Sequence, residues 1–138
     1  MDSKEMGTLN REFGAWGEGA AADFLAAKGW RIVGRNVRPC PRDRRCEIDI
    51  VAEPREAGKV VFVEVKTHAG PAAAGRLAGV DARKKHNLLR ACANWVMRNR
   101  WHGDFRFDVV EVYGAQGEIA LIDHIENVPL FPPKWRFW

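Results

Sequence analysis

The sequence has 138 residues, of which 46% are apolar and 29% are charged, a composition typical of one globular domain with a single core. It contains no apolar run near the roughly 20 residues that cross a bilayer, and its start lacks a secretory signal, so a cytoplasmic protein that binds no membrane is expected. The formal net charge of +4 makes a polyanion a candidate partner.

The positive charge is concentrated in two segments. Residues 31–45 carry six basic side chains against one acid, and residues 83–106 carry seven against one, whereas residues 107–138 carry five acids and two bases. Two basic segments in one small domain favour a nucleic-acid partner, and a solvated basic surface is the alternative. The side chains that we expect to contact phosphates are Arg42, Arg44, Arg45, Lys84 and Lys85.

Hydrophobic periodicity and turn residues divide the chain into seven elements. The first helix ends before Gly29, an arginine-rich loop precedes Cys46, and Asp81 caps the second helix. Residues 70–79 are small and predict a mobile loop. The predicted elements are a helix at 10–28, strands at 30–33, 46–52 and 60–66, a helix at 81–100, and strands at 105–113 and 118–122.

This order, α-β-β-β-α-β-β, predicts an α/β fold, a mixed β-sheet with one helix before it and another crossing over midway. The whole chain, 1–138, is expected to form one domain with a core at about 10–125. Trp95 lies on the apolar stripe of the second helix, which favours a place in the core. The proline- and aromatic-rich tail at 126–138 is expected to dock on its own domain or on another subunit.

The three cysteines, Cys40, Cys46 and Cys92, lack the spacing of a zinc site. They cannot all pair with one another, and a reducing cytosol disfavours disulfides. We therefore expect ordinary packed or surface thiols.

The central hairpin brings acidic side chains together. Strand alternation places Glu47 and Asp49 on one face of their strand, and Glu64 and Lys66 on one face of the next. A turn centred between residues 56 and 57 makes Asp49 face Glu64 and Glu47 face Lys66, with opposed Cβ atoms about 5 Å apart. Two carboxylates at that distance repel each other unless a cation or a shared proton lies between them.

Charged side chains within Val- and Ile-rich strands also cost desolvation free energy. Oxygen ligands without clustered Cys or His favour Mg²⁺ or Mn²⁺, and a nearby lysine can stabilise negative charge on a phosphate. These acids therefore predict metal-assisted phosphodiester hydrolysis. The alternative is a half-exposed sheet in which Glu47 and Lys66 form an ordinary ion pair. Glu18, at the margin of the first helix's apolar stripe, either reaches this site or is an ordinary helix-flank residue.

Asp49, fourteen further residues and then Glu64-Val65-Lys66 resemble the D…(D/E)xK signature of the PD-(D/E)XK nuclease superfamily. A wider set of motifs, over about residues 11–123, resembles the YraN family of small bacterial endonuclease-like proteins, which is similar in fold to archaeal Holliday-junction resolvases. These motifs are Gly17-Glu18, Arg35-Asn36, Glu47-Ile48-Asp49-Ile50-Val51, Val61-Phe62-Val63-Glu64-Val65-Lys66, Lys84/Lys85 and Arg106-Phe107-Asp108-Val109-Val110.

The resemblance implies a restriction-endonuclease-like fold and a catalytic site that uses Mg²⁺ or Mn²⁺. It implies that Asp49 and Glu64 bind the metal, that Lys66 is the catalytic lysine, and that Glu18 is a helix acid of the same site. Asp108 also matches a family position, and sheet packing or an internal ion pair would explain it equally. Resolvase-like relatives act as dimers, so the resemblance is compatible with a homodimer.

Two features depart from the family pattern. Cys46 stands where the family usually has Gly, and the loop at 39–45 looks longer and richer in arginine. Both departures bear on the geometry of this loop and on substrate preference, and both leave the metal-binding acids in place.

The sequence therefore predicts a divalent-metal-dependent nuclease-like protein that acts on structured or branched DNA, with DNA favoured over RNA. One alternative is a non-catalytic nucleic-acid-binding module of the same fold. The other is a protein-interaction adaptor whose basic face binds an acidic partner.

Overall fold

The computed structural model describes residues 2–70 and 82–133, and within these ranges it contains two helices and five strands. Their order confirms the predicted α-β-β-β-α-β-β arrangement. Neither described helix has an apolar stretch that is long enough to span a membrane. The elements are α1 (Ser3–Ala27), β1 (Arg31–Val37), β2 (Ile48–Glu53), β3 (Lys59–Ala69), α2 (Ala82–Arg98), β4 (Asp104–Ala115) and β5 (Glu118–Ile125).

The five strands form one mixed sheet in the order β1-β2-β3-β4-β5. Neighbouring strands are antiparallel except β3 and β4, which pair in parallel. A parallel pair needs a crossover connection, and α2 lies in the segment that joins these two strands. The predicted mixed sheet with a midway helix is therefore confirmed.

Five elements, α1, β1, β3, β4 and β5, are longer than predicted, and for α1 and β1 the reason is local. The helix α1 begins at Ser3, because the Asp2 side chain caps it by accepting a hydrogen bond from the Glu5 N–H at 2.7 Å. The strand β1 continues to Val37, because a bulge between Ile32 and Gly34 keeps the later residues paired with β2.

The sheet separates two hydrophobic layers. On the face that α2 covers, Val51 and Phe62 pack in one cluster, and Trp95 meets the Phe62 ring edge-to-face with 5.6 Å between centroids. On the other face, Ile50 and Val63 belong to the cluster formed with α1. Trp95 therefore belongs to the core, as predicted.

The close contact between α1 and β3 depends on Gly17. A Cβ atom at this position would lie 2.7 Å from Cγ2 of Thr67, well inside van der Waals contact. The absence of a side chain thus lets α1 lie directly against β3 and brings the next helix residue, Glu18, to the sheet.

Cys40 and Cys46 form a disulfide, so the prediction of unpaired thiols is wrong for these two residues. Two consecutive turns, from the Asp43 N–H to the Cys40 carbonyl and from the Cys46 N–H to the Asp43 carbonyl, bring the two Cα atoms to 5.7 Å. We call the segment that the disulfide closes, residues 40–46, the arginine loop. Cys92 is a free, buried thiol, which agrees with the prediction for that residue.

Some predicted features lie outside the described residues. These are the mobile loop predicted at 70–79, of which only Gly70 is described, and the helix cap predicted at Asp81. Residues 134–138 of the predicted tail also lie outside the described ranges.

Candidate functional site

An open cavity of about 390 Å³ lies between the arginine loop, the start of β2 and the first turns of α2. Asn87 and Leu88 of α2 contribute to its lining. Three of the predicted phosphate contacts border it, whereas Arg42 and Lys85 do not. The acids that line the cavity are Glu47, Asp49 and Glu64, and the bases are Arg44, Arg45, Arg83 and Lys84.

The hairpin register brings Asp49 and Glu64 together. β2 pairs with β3 through contacts that include Ile50 with Val63, which is the predicted register, and the next two positions outward are Asp49 and Glu64. At this point the backbone ladder ends, and the Asp49 carboxylate itself accepts a hydrogen bond from the Val65 N–H at 2.8 Å. Both acids therefore lie on the sheet face that α2 covers, in one cavity.

The environment of this pair disfavours two negative charges. Glu64 is only 3% exposed. Burial, followed by the Glu64 carboxylate, raises the pKa of Asp49 well above its usual range, and the Val65 N–H and the Lys84 ammonium offset only part of this effect. The pair is therefore short of positive charge.

Two lysines adjoin the acidic pair from different elements. Lys84 of α2 forms an ion pair with the Glu64 carboxylate. Lys66 belongs to β3, and its ammonium group adjoins that of Lys84. Burial, followed by the positive charge of Lys84, lowers the pKa of Lys66. Burial also acts to lower the pKa of Lys84, but the carboxylates of Glu64 and Asp49 outweigh it and raise that pKa overall.

Glu18 approaches the site from the opposite side of the sheet. With its amide nitrogen turned towards the acids, Asn36 donates hydrogen bonds to Glu18 Oε2 at 2.8 Å and to Glu47 Oε1 at 3.0 Å. Burial, followed by the charge of Glu47, raises the pKa of Glu18, and Arg35 opposes the rise. Glu18 is thus coupled to the site through Asn36, and it is not among the residues that line the described cavity.

Glu47 lies before the start of β2, outside the ladder in which it was predicted to face Lys66. Its carboxylate contacts the Asn36 amide, and Arg38 lies 3.9 Å from it. Sequence reasoning included Asn36 only as part of a family motif. Asn36 has a φ of 50°, a left-handed conformation that asparagine tolerates, and strand alternation does not predict it.

The arginine loop is fixed to α2 by its single acid. The Asp43 carboxylate accepts hydrogen bonds from the Arg45 N–H at 3.0 Å and from Arg45 Nε at 3.2 Å, and it forms an ion pair with Arg90 of α2 at 2.9 Å. Hydrogen bonds from Arg90 and then from Arg45 lower the pKa of Asp43. Asn94 of α2 also donates to the Cys40 sulfur at 3.3 Å. These contacts hold the loop at the rim of the cavity.

The model of the uncharacterised protein family UPF0102 matches residues 17–112. The chain belongs to the UPF0102 family. The names of the relatives state no activity, and the match confirms the resemblance to the YraN family at the level of the family. Similar relatives are the UPF0102 proteins of Trichlorobacter lovleyi (39% identical over 123 residues, 88% of this chain and 93% of the relative), Mycolicibacterium smegmatis (38% over 125 residues, 89% and 98%) and Symbiobacterium thermophilum (42% over 105 residues, 75% and 84%).

The segment that matches the UPF0102 family contains every residue of the candidate site, and it also contains a second buried acid, Asp108. Asp108 accepts hydrogen bonds from Arg106 Nε and Nη2 at 3.0 and 3.1 Å. His124 Nε2 lies 2.8 Å from the same carboxylate, and together with Glu126 these groups are close enough to hold a cation. Arg106 already supplies the positive charge, and Lys28 contacts the other ring nitrogen of His124 at 2.8 Å. This geometry supports the predicted internal ion pair for Asp108.

Proposed function

We propose that this UPF0102 protein is a divalent-metal-dependent nuclease that hydrolyses phosphodiester bonds in DNA. The observation that carries the proposal is the pair of carboxylates, Asp49 and Glu64, in a cavity that is also lined by four basic side chains. Under-compensated acids suit a divalent cation, and the surrounding bases suit phosphates. The resemblance to Holliday-junction resolvases favours structured or branched DNA as the substrate.

The donor set is compatible with Mg²⁺ or Mn²⁺. Asp49 and Glu64 offer hard oxygen ligands, and the described lining of the cavity holds neither Cys nor His, the ligands that zinc prefers. The raised pKa of Asp49 indicates that an added positive charge would stabilise its ionised form. When bound, such an ion polarises a phosphate and makes a water molecule more acidic.

The remaining side chains divide the work of binding and charge stabilisation. Lys66, which adjoins Lys84 and has a lowered pKa, is suited to stabilise charge on the reacting phosphate or to exchange a proton with water. Arg44, Arg45 and Arg83 line the cavity and are suited to hold the phosphates that flank the scissile bond. Glu18 acts through Asn36, which fixes the Glu47 carboxylate at the rim.

The proposal is tested by cleavage assays with junction, flap and linear DNA of one sequence, and with the matching RNA duplex, in Mg²⁺ or Mn²⁺. We expect metal-dependent cleavage of DNA that Asp49→Asn lowers by at least about a hundredfold without weakening DNA binding in EDTA. The matched control is Asp23→Asn, an exposed acid of α1, which should cleave as the wild type does.

Three outcomes would contradict the proposal in different ways. Tight, salt-sensitive DNA binding without cleavage of any substrate would favour a non-catalytic nucleic-acid-binding module. Affinity for nucleic acid that does not change with salt would favour a protein-interaction adaptor, because phosphate contacts weaken steeply as salt rises. Cleavage that persists in Asp49→Asn would exclude this carboxylate from the reaction.

A further inference from the structure

Lys84 is the cation that already lies at the acidic pair. It belongs to the first turn of α2, and its ammonium group forms an ion pair with Oε1 of Glu64. The Glu64 side chain is 4% exposed, whereas that of Lys84 is 42% exposed. The carboxylate is therefore fixed within the fold, and its lysine partner has a solvent-facing path along which to move.

Lys84 interacts with three charged groups, Asp49, Glu64 and Lys66. Its charge acts on Asp49 as well as on Glu64, and it also contacts Lys66. A divalent cation held by the two carboxylates would lie close to the Lys84 ammonium group and would replace it as the partner of Glu64. Because like charges repel, the ammonium group is then driven away from Glu64.

We propose that Lys84 is an exchangeable counter-ion, which neutralises Glu64 when the site holds no metal and turns to a substrate phosphate when a divalent ion takes Glu64. This inference rests on the proposed role of Asp49 and Glu64 as metal ligands. It goes beyond that role because it links metal binding to DNA binding through one side chain.

The position of Lys84 suits this exchange better than that of Lys66. Lys84 lines the cavity together with Arg44, Arg45 and Arg83, so an ammonium group released from Glu64 remains among side chains suited to phosphates. Lysine carries a compact charge on a flexible stem, which permits such a movement with little change in the backbone. Lys66 is not part of the described lining.

The exchange predicts opposite effects on the two ligands. While Lys84 competes with the metal for Glu64, it weakens metal binding, and once released it strengthens DNA binding. Because linkage between two ligands is reciprocal, the metal should raise DNA affinity by the same factor as DNA raises metal affinity. Both effects should become smaller when the ammonium group is removed, and the part that remains is the direct contact of the metal with the phosphate.

The test compares wild type with Lys84→Met. The matched control is Lys85→Met, which changes the neighbouring exposed lysine. Free Mn²⁺ is measured by electron paramagnetic resonance, and binding of a fluorescent DNA junction is measured in EDTA and in saturating Ca²⁺. We expect Lys84→Met to bind Mn²⁺ about tenfold more tightly than wild type and to show a smaller gain in DNA affinity when the metal is added. Lys85→Met should match wild type in Mn²⁺ affinity.

The outcomes separate this inference from the proposed function. If wild type binds Mn²⁺ and Asp49→Asn does not, but Lys84→Met binds no more tightly than wild type, the counter-ion role is wrong and the metal site stands. If wild type binds no Mn²⁺, both fail. Lys84→Arg provides a second measurement: it keeps a charge at Glu64, so its Mn²⁺ affinity should stay at or below that of wild type. An Arg variant that binds as tightly as the Met variant would also overturn the inference.

Discussion

Replacing Asp49 with Asn should stabilise the fold while it removes a ligand of the proposed metal. The Asn side-chain oxygen can still accept the hydrogen bond that the Val65 N–H donates at 2.8 Å. The substitution removes only the negative charge, which lies next to Glu64 and which burial disfavours. The usual expectation for a partly buried polar residue, a loss of stability, is therefore reversed at this position.

The size of the effect follows from the charges. The Cβ atoms of directly opposed side chains lie about 5 Å apart, and two like charges with a similar spacing would repel by about 3 kcal/mol at an effective dielectric constant of about 20. The Lys84 ammonium compensates part of this repulsion. We expect a net gain of about 1–2 kcal/mol in the free energy of unfolding, or about 3–7 °C in Tm for a domain of this size.

The assay is urea unfolding in EDTA, followed by circular dichroism, for wild type and Asp49→Asn. Asp43→Asn is the matched control, and it should lower stability because it weakens the contacts with Arg90 and Arg45. Added Mn²⁺ should stabilise the wild type more than Asp49→Asn, because a ligand that binds only the folded state raises its stability. An Asp49→Asn variant that is less stable than wild type in EDTA would refute the argument.

The same reasoning gives a sign for the pH dependence. The folded state raises the pKa of Asp49 above its ordinary value of 3.8 and that of Glu18 above 4.5, so it binds more protons than the unfolded chain just above those values. Stability should therefore rise as the pH falls from neutral towards about 4–5. Below 3.8 it should fall again, because the folded state lowers the pKa of Asp43 and Asp108. Asp49→Asn should show a smaller rise.

Three further changes have measurable outcomes. Gly17→Ala should lower the free energy of unfolding by about 1–3 kcal/mol, since its Cβ would clash with Thr67; unchanged urea unfolding would contradict this close contact. Reduction of the Cys40–Cys46 disulfide should lower it by about 2 kcal/mol, measured by the same method alongside thiol titration. DNA binding should weaken as salt rises: a plot of the logarithm of the binding constant against the logarithm of the salt concentration should have a slope near −3.6 for four phosphate contacts. Arg44→Ala should make this slope less steep by about 1. A slope near zero would contradict phosphate binding by the basic side chains that line the cavity.

Local patterns were sufficient to predict the centre of the site. Strand alternation and the turn between residues 56 and 57 predicted the register that the structure shows between Ile50 and Val63. This succeeds because side-chain direction repeats every two residues, so a correct turn centre determines which residues oppose one another. The neighbouring positions of Asp49 and Glu64 follow from the same register.

The contacts around this centre could not be predicted from local patterns, because they depend on segments that are distant in the sequence. No pattern in α2 indicates that Lys84 reaches Glu64, since that contact depends on how the helix packs across the sheet. The disulfide depends on two consecutive turns in the arginine loop, and cysteine spacing alone does not specify them. Glu18 is coupled to the site only because Gly17 allows close packing and Asn36 bridges the carboxylates of Glu18 and Glu47.

Two of the buried acids, Asp108 and Glu64, differ in what compensates their charge, and this difference separates support of the fold from candidate chemistry. Asp108 is held by Arg106, which binds it through two nitrogen atoms, and by a backbone N–H, and its pKa is lowered. A bidentate guanidinium is a permanent partner because it remains charged and its geometry matches a carboxylate. Glu64 instead pairs with a single lysine that is partly exposed, and the pKa of neighbouring Asp49 is raised. Glu64, which pairs with a flexible ammonium group, is therefore the better candidate to bind another cation, and we propose the metal site on the α2 face of the sheet rather than at Asp108.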